Sequence, residues 1–328
     1  MINAAIVGLG WWGKELVDSV QGKSSAIRFV AAHNLSQEKS RTYCAEKGLE
    51  WRPSVDALLA DPKIDALVFA ARHADRPDQV VATARAGKHV FVEKPFALNL
   101  ADADRALAAV AAAQVVFGVG YQRRQLPPVA ELRARFRDGR LGKVGQCIGE
   151  ATAPGALTLP DGSWRLDADQ APAGGMTALG VHLLDTMIDL FGHIETVYCV
   201  NRKHAATRIE DVTTVVAQFA SGTVGTIICS MATTPTYRLA AFGTNGLAEA
   251  SLDTFRFLPT PKPGVAATPE VIASPAFDPL RAELEAFAHS ITTRTPYPIT
   301  PDQLRHCVAA FEAIVRAGAS GRPERVAR

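Results

Sequence analysis

The sequence predicts an α/β chain in which a doubly wound parallel sheet is followed by an α+β domain with a large, mostly antiparallel open sheet. Three observations lead there: β-branched runs alternate with helical patterns up to about residue 120, the alternation then stops, and strand-like runs joined by tight-turn dipeptides follow. The expected domains are therefore 1–120 and 121–328.

In the first half, strands are expected at Ala4–Val7, Arg28–Ala32, Ala66–Ala70, His89–Val92 and Val115–Val119. Between them, Leu16, Val17 and Val20 form one helical face, and Ser54 caps a short helix through Leu59. Val80 to Arg85 forms a helix stopped by Gly87, and Asn99 opens an Ala-rich helix to about Ala113. In the second half, a helix is expected over Val129–Arg137 and strands at Val144–Glu150, Val197–Asn201, Thr213–Phe219 and Thr223–Cys229. Ser221-Gly222 and Asn245-Gly246 are hairpin dipeptides, so these strands are expected to be antiparallel. Phe277, Leu280, Leu284, Phe287 and Ile291 recur at helical spacing. Thr300-Pro301-Asp302-Gln303 is a capping box with proline at the first helical position, ahead of a stripe of Leu304, Cys307, Val308, Phe311, Ile314 and Val315. The proline-rich stretch 259–275 is expected to be an exposed connection.

The 328 residues, 48% hydrophobic and 21% charged, suffice for a large core. Thirty-five Lys and Arg stand against 33 Asp and Glu, with no basic block to track a phosphate backbone, so nucleic acid is not an expected partner. The apolar runs from Ala106 to Ala113 and from Val212 to Ala220 fall short of the roughly 20 residues of a membrane span. No export signal follows Met1, so a cytoplasmic protein is expected. The five cysteines form no C-x-x-C pair and read as small buried hydrophobes, with no metal site expected.

Gly8-Leu9-Gly10-Trp11-Trp12-Gly13 follows the first strand and opens a helix. Gly8 permits the tight turn, Gly10 lets backbone approach a pyrophosphate, and Gly13 lets helix lie against strand, which is the dinucleotide fingerprint of a Rossmann domain. The phosphates would rest on the helix N-terminus. Trp11 and Trp12 read as packing residues, or as a wall beside the nicotinamide. A ribose-gripping acid is expected at the end of the second strand, yet the chain there reads His33-Asn34-Leu35-Ser36. Asn34 and Ser36, with His33, Lys39 or Arg41 supplying charge, suit a 2′-phosphate; the equal alternative is that they are loop and cap residues. The expectation leans to NADP, with NAD as the alternative.

Glu93-Lys94-Pro95 closes the fourth expected strand, at the sheet edge where ligands collect. A lysine desolvated there can exchange protons near neutral pH or polarise a carbonyl; a surface lysine paired with Glu93 is the alternative. His182 follows a glycine-rich turn at a helix start, where its near-neutral pKa suits a proton shuttle; a structural histidine is the alternative and the commoner one.

The N-terminal G-x-G-x-W-G, the Ala86–Val90 lead into Glu93-Lys94-Pro95, Tyr121-Gln122-Arg123-Arg124, Trp164-Arg165, Gly174-Gly175 and Gly180-x-His182-x-x-Asp185 occur in an order that resembles the Gfo/Idh/MocA family (glucose–fructose oxidoreductase, inositol dehydrogenase and rhizopine-catabolism proteins). The resemblance implies an NAD(P)-dependent oxidoreductase acting on a secondary alcohol of a sugar, inositol or cyclic polyol. It assigns Lys94 and His182 to catalysis, Glu93-Lys94-Pro95 to the cofactor-side loop, Gly8, Gly10 and Gly13 to the pyrophosphate turn, and Arg123, Trp164, Arg165 and Asp185 to the substrate pocket. Two departures stand out. Ala178 replaces the aspartate of D-x-G-x-H, leaving Asp185 as a candidate substitute or else a helix residue with an unrelated partner. Ala71-Arg72-His73 replaces the usual Thr-Pro, bringing Ala71 and Arg72 to the cofactor, with Arg72 and His73 placed to touch the cofactor or an anionic substrate. Arg72, Arg123, Arg124 and Arg165 also hint at an anionic substrate. The competing readings are a glycoside-processing or epimerising enzyme that retains its cofactor and a non-catalytic sensor. The open sheet, lacking helical cover on one face, is expected to make a homodimer or homotetramer.

Overall fold

The computed structural model describes residues 1–206, 208–263 and 267–328, and leaves the side chain of Lys39 undescribed. It divides into two units, residues 1–122 with 278–305, and residues 123–277 with 306–328.

The first unit begins with β1 (Ile2–Val7), α1 (Trp11–Val20), β2 (Ile27–His33), α2 (Gln37–Lys47), β3 (Glu50–Trp51), α3 (Val55–Leu59), β4 (Ala66–Phe69), α4 (Arg76–Arg85), β5 (His89–Glu93), α5 (Leu100–Ala113) and β6 (Phe117–Gly120). The six strands lie parallel in the order β3-β2-β1-β4-β5-β6, so the winding reverses between β1 and β4. Such a switch point opens a crevice at the carboxyl ends of the strands. Local signals set several boundaries. Ser54 Oγ accepts from Ala57 N, Asn99 Oδ1 accepts from Asp102 N, and Gly87 takes φ +69 just beyond α4. Two elements escaped the sequence pattern: α2 is polar apart from Tyr43 and Cys44, and β3 is two residues long.

The second unit holds α6 (Pro127–Arg137), β7 (Val144–Thr152), α7 (Gly155–Thr158), α8 (Val181–Phe191), β8 (Ile194–Arg202), β9 (Val212–Phe219), β10 (Val224–Ser230), β11 (Thr236–Gly243), β12 (Gly246–Ala250), β13 (Thr254–Pro259) and β14 (Glu270–Ala273). Its nine-stranded sheet runs β14-β13-β12-β11-β7-β10-β9-β8, with a last strand added below. The hairpins at Ser221-Gly222 and Asn245-Gly246 form as expected, but β7 and β10 pair in parallel, because β10 returns from a distant part of the chain rather than from a hairpin with β7. The stretch 259–275 is exposed yet contributes the edge strand β14; the masked residues 264–266 of that stretch lie outside the described residues. α8 packs on β7, where Gly149 leaves room for Leu183 and Met187. On the sheet's outward positions Tyr198, Val216, Val224, Ile228, Phe242 and Leu258 stay partly exposed.

The chain then returns. α9 (Pro279–Thr293) packs on α1 in the first unit, with Phe287 edge-on to Phe91 at 5.5 Å. Asp278 caps α9, so Phe277 stands outside the helix and is exposed. α10 (Pro301–Ser320) opens with the expected reciprocal cap, Thr300 N to Gln303 Oε1 at 3.3 Å and Gln303 N to Thr300 Oγ1 at 3.2 Å. β15 (Glu324–Arg325) pairs with β8. All five cysteines are buried, and none forms a disulfide among the described residues. No helix among the described residues is long and apolar enough to cross a membrane.

Candidate functional site

β1 runs straight into the glycine turn. Gly8 takes φ +96, and a Cβ there would come within 2.7 Å of the Ala70 carbonyl oxygen; a Cβ on Gly13 would collide with the Gly8 carbonyl. Gly10 is different: nothing lies within 4 Å of where its Cβ would be. As the cap residue of α1 it supplies no side-chain acceptor, and the first turn carries no acid, so the helix presents its N–H groups to open space. This cradle fits a pyrophosphate.

The end of β2 braces the turn. Gly8 N donates to His33 O at 2.9 Å and Leu9 N to Asn34 Oδ1 at 3.2 Å, while Asn34 Nδ2 donates to Ser40 Oγ at 2.8 Å. Asn34 thus faces inward. His33 Nδ1 lies 3.0 Å from Arg52 O, and Arg52 is engaged by Glu50 and Asp61. Ser36 is half-buried and Arg41 exposed; Lys39, a candidate cation, lies outside the described side chains.

Across the switch point, β5 ends in Glu93, fully buried and pushed up in pKa by that burial, with Trp12 and then Lys94 opposing the shift. A Cβ on Gly120 would approach Glu93 Oε1 to 2.8 Å, so this glycine makes space for the carboxyl. Lys94 is half-buried, and Pro95 follows it through a cis bond. Trp11 is exposed and stands 5.1 Å from Trp12. The turn, Trp12, Glu93 and Lys94 are therefore brought to one edge of the parallel sheet.

Arg76, which sequence reasoning missed, organises that edge. Its buried guanidinium donates to Glu93 O at 2.8 Å, Pro95 O at 2.7 Å and Ala71 O at 2.9 Å. It ties the loop bearing Ala71 and Arg72 to the one bearing Lys94. An arginine in the first turn of a helix gives no sequence signal for this. Arg72 itself is exposed, without an ion pair among the described residues.

In the second unit, glycines press the approach to α8 onto β10. A Cβ on Gly180 would meet Cys229 Sγ at 2.9 Å, and Gly174 takes φ +38 against Glu210. His182 is buried near the start of α8, and its carbonyl accepts from Thr186 Oγ1 at 2.8 Å. Asp185 is buried and met by Arg124 in bidentate geometry, Nε to Oδ2 at 2.6 Å and Nη2 to Oδ1 at 2.7 Å. Burial pushes the Asp185 carboxyl up, to about 6, with Arg124 opposing. Burial also pushes Asp189 up, but Arg124 and Arg133 outweigh it and hold that carboxyl below its usual range. Breaking one partner out of a buried pair of this kind costs about 3–5 kcal/mol. Asp185 is thus committed to Arg124. Ala178 is half-buried and offers no carboxylate. Arg123 stands 5.2 Å over the Tyr237 ring, and Arg165 is exposed 4.4 Å over the Trp164 ring. The Trp164 turn packs through Leu166 on Ala171 and Ile209.

A dinucleotide cradle at the switch point of a parallel sheet, with a lysine at the end of β5, defines a nucleotide-binding α/β protein of the oxidoreductase class. Comparison with known proteins narrows this. Residues 2–121 match the family described as "Oxidoreductase family, NAD-binding Rossmann fold", and residues 129–249 match the GFO/IDH/MocA C-terminal domain. The chain belongs to the GFO/IDH/MocA family. It is 28% identical over 190 residues to 1,5-anhydro-D-fructose reductase of Ensifer adhaerens, covering 57% of this chain and 54% of the reductase. It is 27% identical over 256 residues to myo-inositol 2-dehydrogenase of Thermotoga maritima, covering 75% of this chain and 74% of that protein. The chain thus spans about half the length of the first relative and three quarters of the second. A levoglucosan dehydrogenase solved with NADH and L-sorbose superposes with a TM-score of 0.91 at 18% identity, covering 100% of this chain and 99% of that one.

Proposed function

We propose that this protein is an NAD(P)-dependent dehydrogenase or reductase that moves a hydride between nicotinamide and a secondary alcohol or ketone of a sugar, inositol or related cyclic polyol. One observation carries the reading: the open space over Gly10 at the uncapped start of α1, at the same sheet edge where β5 ends in Glu93 and Lys94 follows. The names of the relatives, a reductase and an inositol dehydrogenase, support the substrate class.

The bound dinucleotide supplies the hydride acceptor or donor. The remaining roles fall to the chain. The backbone at Gly8, Gly10 and Gly13 holds the pyrophosphate, Trp11, Trp12, Ala71, Arg72 and Pro95 border the cofactor, and Glu93 and Arg76 keep Lys94 in position. Lys94 and His182 take the proton from the substrate hydroxyl on oxidation and return it on reduction; their shared role rests on the family's motifs. Ala178 stands in place of an acid, and Asp185 is committed to Arg124. Asp185 serves as a positioning residue through Arg124, while Arg123, Trp164 and Arg165 orient the substrate.

The cofactor reading leans to NADP. The tip of β2 carries no carboxylate to grip a 2′-hydroxyl or repel a 2′-phosphate, and with Asn34 turned inward that group is left to Ser36 and the exposed Arg41. Titration with NADPH and NADH, followed by nicotinamide fluorescence, is expected to give several-fold tighter NADPH binding. Equal or tighter NADH binding removes the preference. A panel of sugars and inositols should then reduce the preferred cofactor; binding of neither nucleotide would sink the whole reading.

The partly exposed row of Tyr198, Val216, Val224, Ile228, Phe242 and Leu258 favours a second copy of this chain as its cover. Sedimentation is expected to give a dimer or tetramer. A monomer at all concentrations contradicts this.

A further inference from the structure

Four arginines hint in the sequence at an anionic substrate, and the structure separates them. Arg124 is saturated by Asp185. Arg72 is exposed, and Arg165 is exposed over Trp164. Arg123 is the exception. It is half-buried on the turn Gln122–Gln125 just past β6, its guanidinium lies 5.2 Å over the Tyr237 ring, and among the described residues that guanidinium makes no ion pair and no hydrogen bond.

The ring face accounts for one side of that guanidinium. Its five N–H donors point along the plane, where the ring offers nothing. Desolvation lowers its pKa, the mark of a charge removed from water without compensation, and only Tyr237 counters. Tyr237 is no counter-charge, since burial pushes its phenol up to about 12. The acids of this region are already matched: Asp185 by Arg124, and Asp189 by Arg124, Arg133 and Arg137. A cation held out of water is costly unless an anion completes it. The location also fits a ligand, because Tyr237 adjoins Thr186, whose hydroxyl binds the His182 carbonyl. Arg123 therefore stands over a ring that neighbours the helix carrying the proposed proton-transfer residue.

We propose that Arg123 receives an oxyanion substituent of the substrate, a carboxylate or a phosphate, so that the preferred substrate is an acidic sugar or cyclitol and not a neutral one. This rests on the oxidoreductase reading for what happens to the substrate, but not for its binding. A planar guanidinium edge engages either oxyanion through two parallel hydrogen bonds, which a neutral hydroxyl does not match.

The test is calorimetric titration, with and without bound nucleotide, of two matched sets: D-glucose against D-glucuronate, and myo-inositol against myo-inositol monophosphate. At least one anion is expected to bind about 10-fold or more tightly than its neutral partner. Tighter glucuronate identifies a carboxylate and tighter inositol monophosphate a phosphate. Arg123→Gln should bring that ratio towards unity, Arg123→Lys should keep part of it, and thermal melts confirm that both variants fold. If neither anion surpasses its partner, or if Arg123→Gln preserves the advantage, the proposal fails. An anion bound through Arg123 without hydride transfer from any polyol or sugar acid to the nucleotide would instead fail the oxidoreductase reading and leave this one standing.

Discussion

Replacing Lys94 with alanine is expected to lower the rate of hydride transfer by about 10²–10⁴-fold, the range supplied by one positioned acid or base, while nucleotide affinity changes by only a few-fold. The separation follows from where Lys94 stands. It lies just beyond β5, and its neighbours Glu93 and Pro95 are fixed through their carbonyls by Arg76. Truncating the lysine side chain removes none of those backbone bonds and does not touch the cradle at Gly8, Gly10 and Gly13. Initial rates with a polyol that the wild type oxidises, read from nicotinamide absorbance, give the first quantity, and fluorescence titration gives the second. If affinity falls as far as rate, Lys94 belongs to the cofactor cradle and not to the proton transfer.

Two glycine replacements three residues apart should behave in opposite ways. Gly13→Ala drives a methyl group into the backbone carbonyl of Gly8, where no flexible side chain can give way. A loss of about 1–3 kcal/mol in stability is expected, as for other overpacked sites, together with loss of nucleotide binding. Gly10→Ala meets nothing in the protein, and its φ of −69 suits alanine, so the melting temperature should hardly move. Its methyl would nonetheless occupy the space assigned to the pyrophosphate, weakening nucleotide binding by about 10-fold or more, roughly the cost of one displaced charge-assisted contact. Chemical denaturation and fluorescence titration of both variants check this. Wild-type affinity in Gly10→Ala would move the phosphates elsewhere.

The parts of this protein that could be read in advance are those where cause and effect lie within a few residues. Ser54, Asn99 and Thr300 with Gln303 are local caps whose partners sit on the next turn. The glycine turn is equally local, since each glycine answers to backbone held by the strand just before it. Lys88 shows the limit. Its place in the Ala86–Val90 lead was legible as part of a pattern, but its employment, donating from burial to Asp61 O and Ile64 O, depends on a loop more than 20 residues away. Asn34 at the end of β2 suits a 2′-phosphate or, equally, a loop and cap role, and nothing nearby in sequence reveals that Leu9 and Ser40 claim its amide. Arg76 was illegible as a site residue, because it matters for the carbonyls it collects; Arg123 was legible from the resemblance, but its lack of a matched acid was not. β14 gave no signal because its four residues are all exposed, leaving no alternation to detect.

The return of α9 to the first unit bears on how the molecule is made. Phe91 and α1 acquire Phe287 and the rest of α9 only after residues 123–277 of the second unit have been synthesised. At translation rates of about 5–20 residues per second, the interval between β6 and the end of α9 is roughly 10–30 seconds. During it the nascent parallel sheet stands with one helix of its cover still inside the ribosome. The segment that was synthesised first is thus finished late, and the second unit, whose residues 306–328 follow α9, is finished later still.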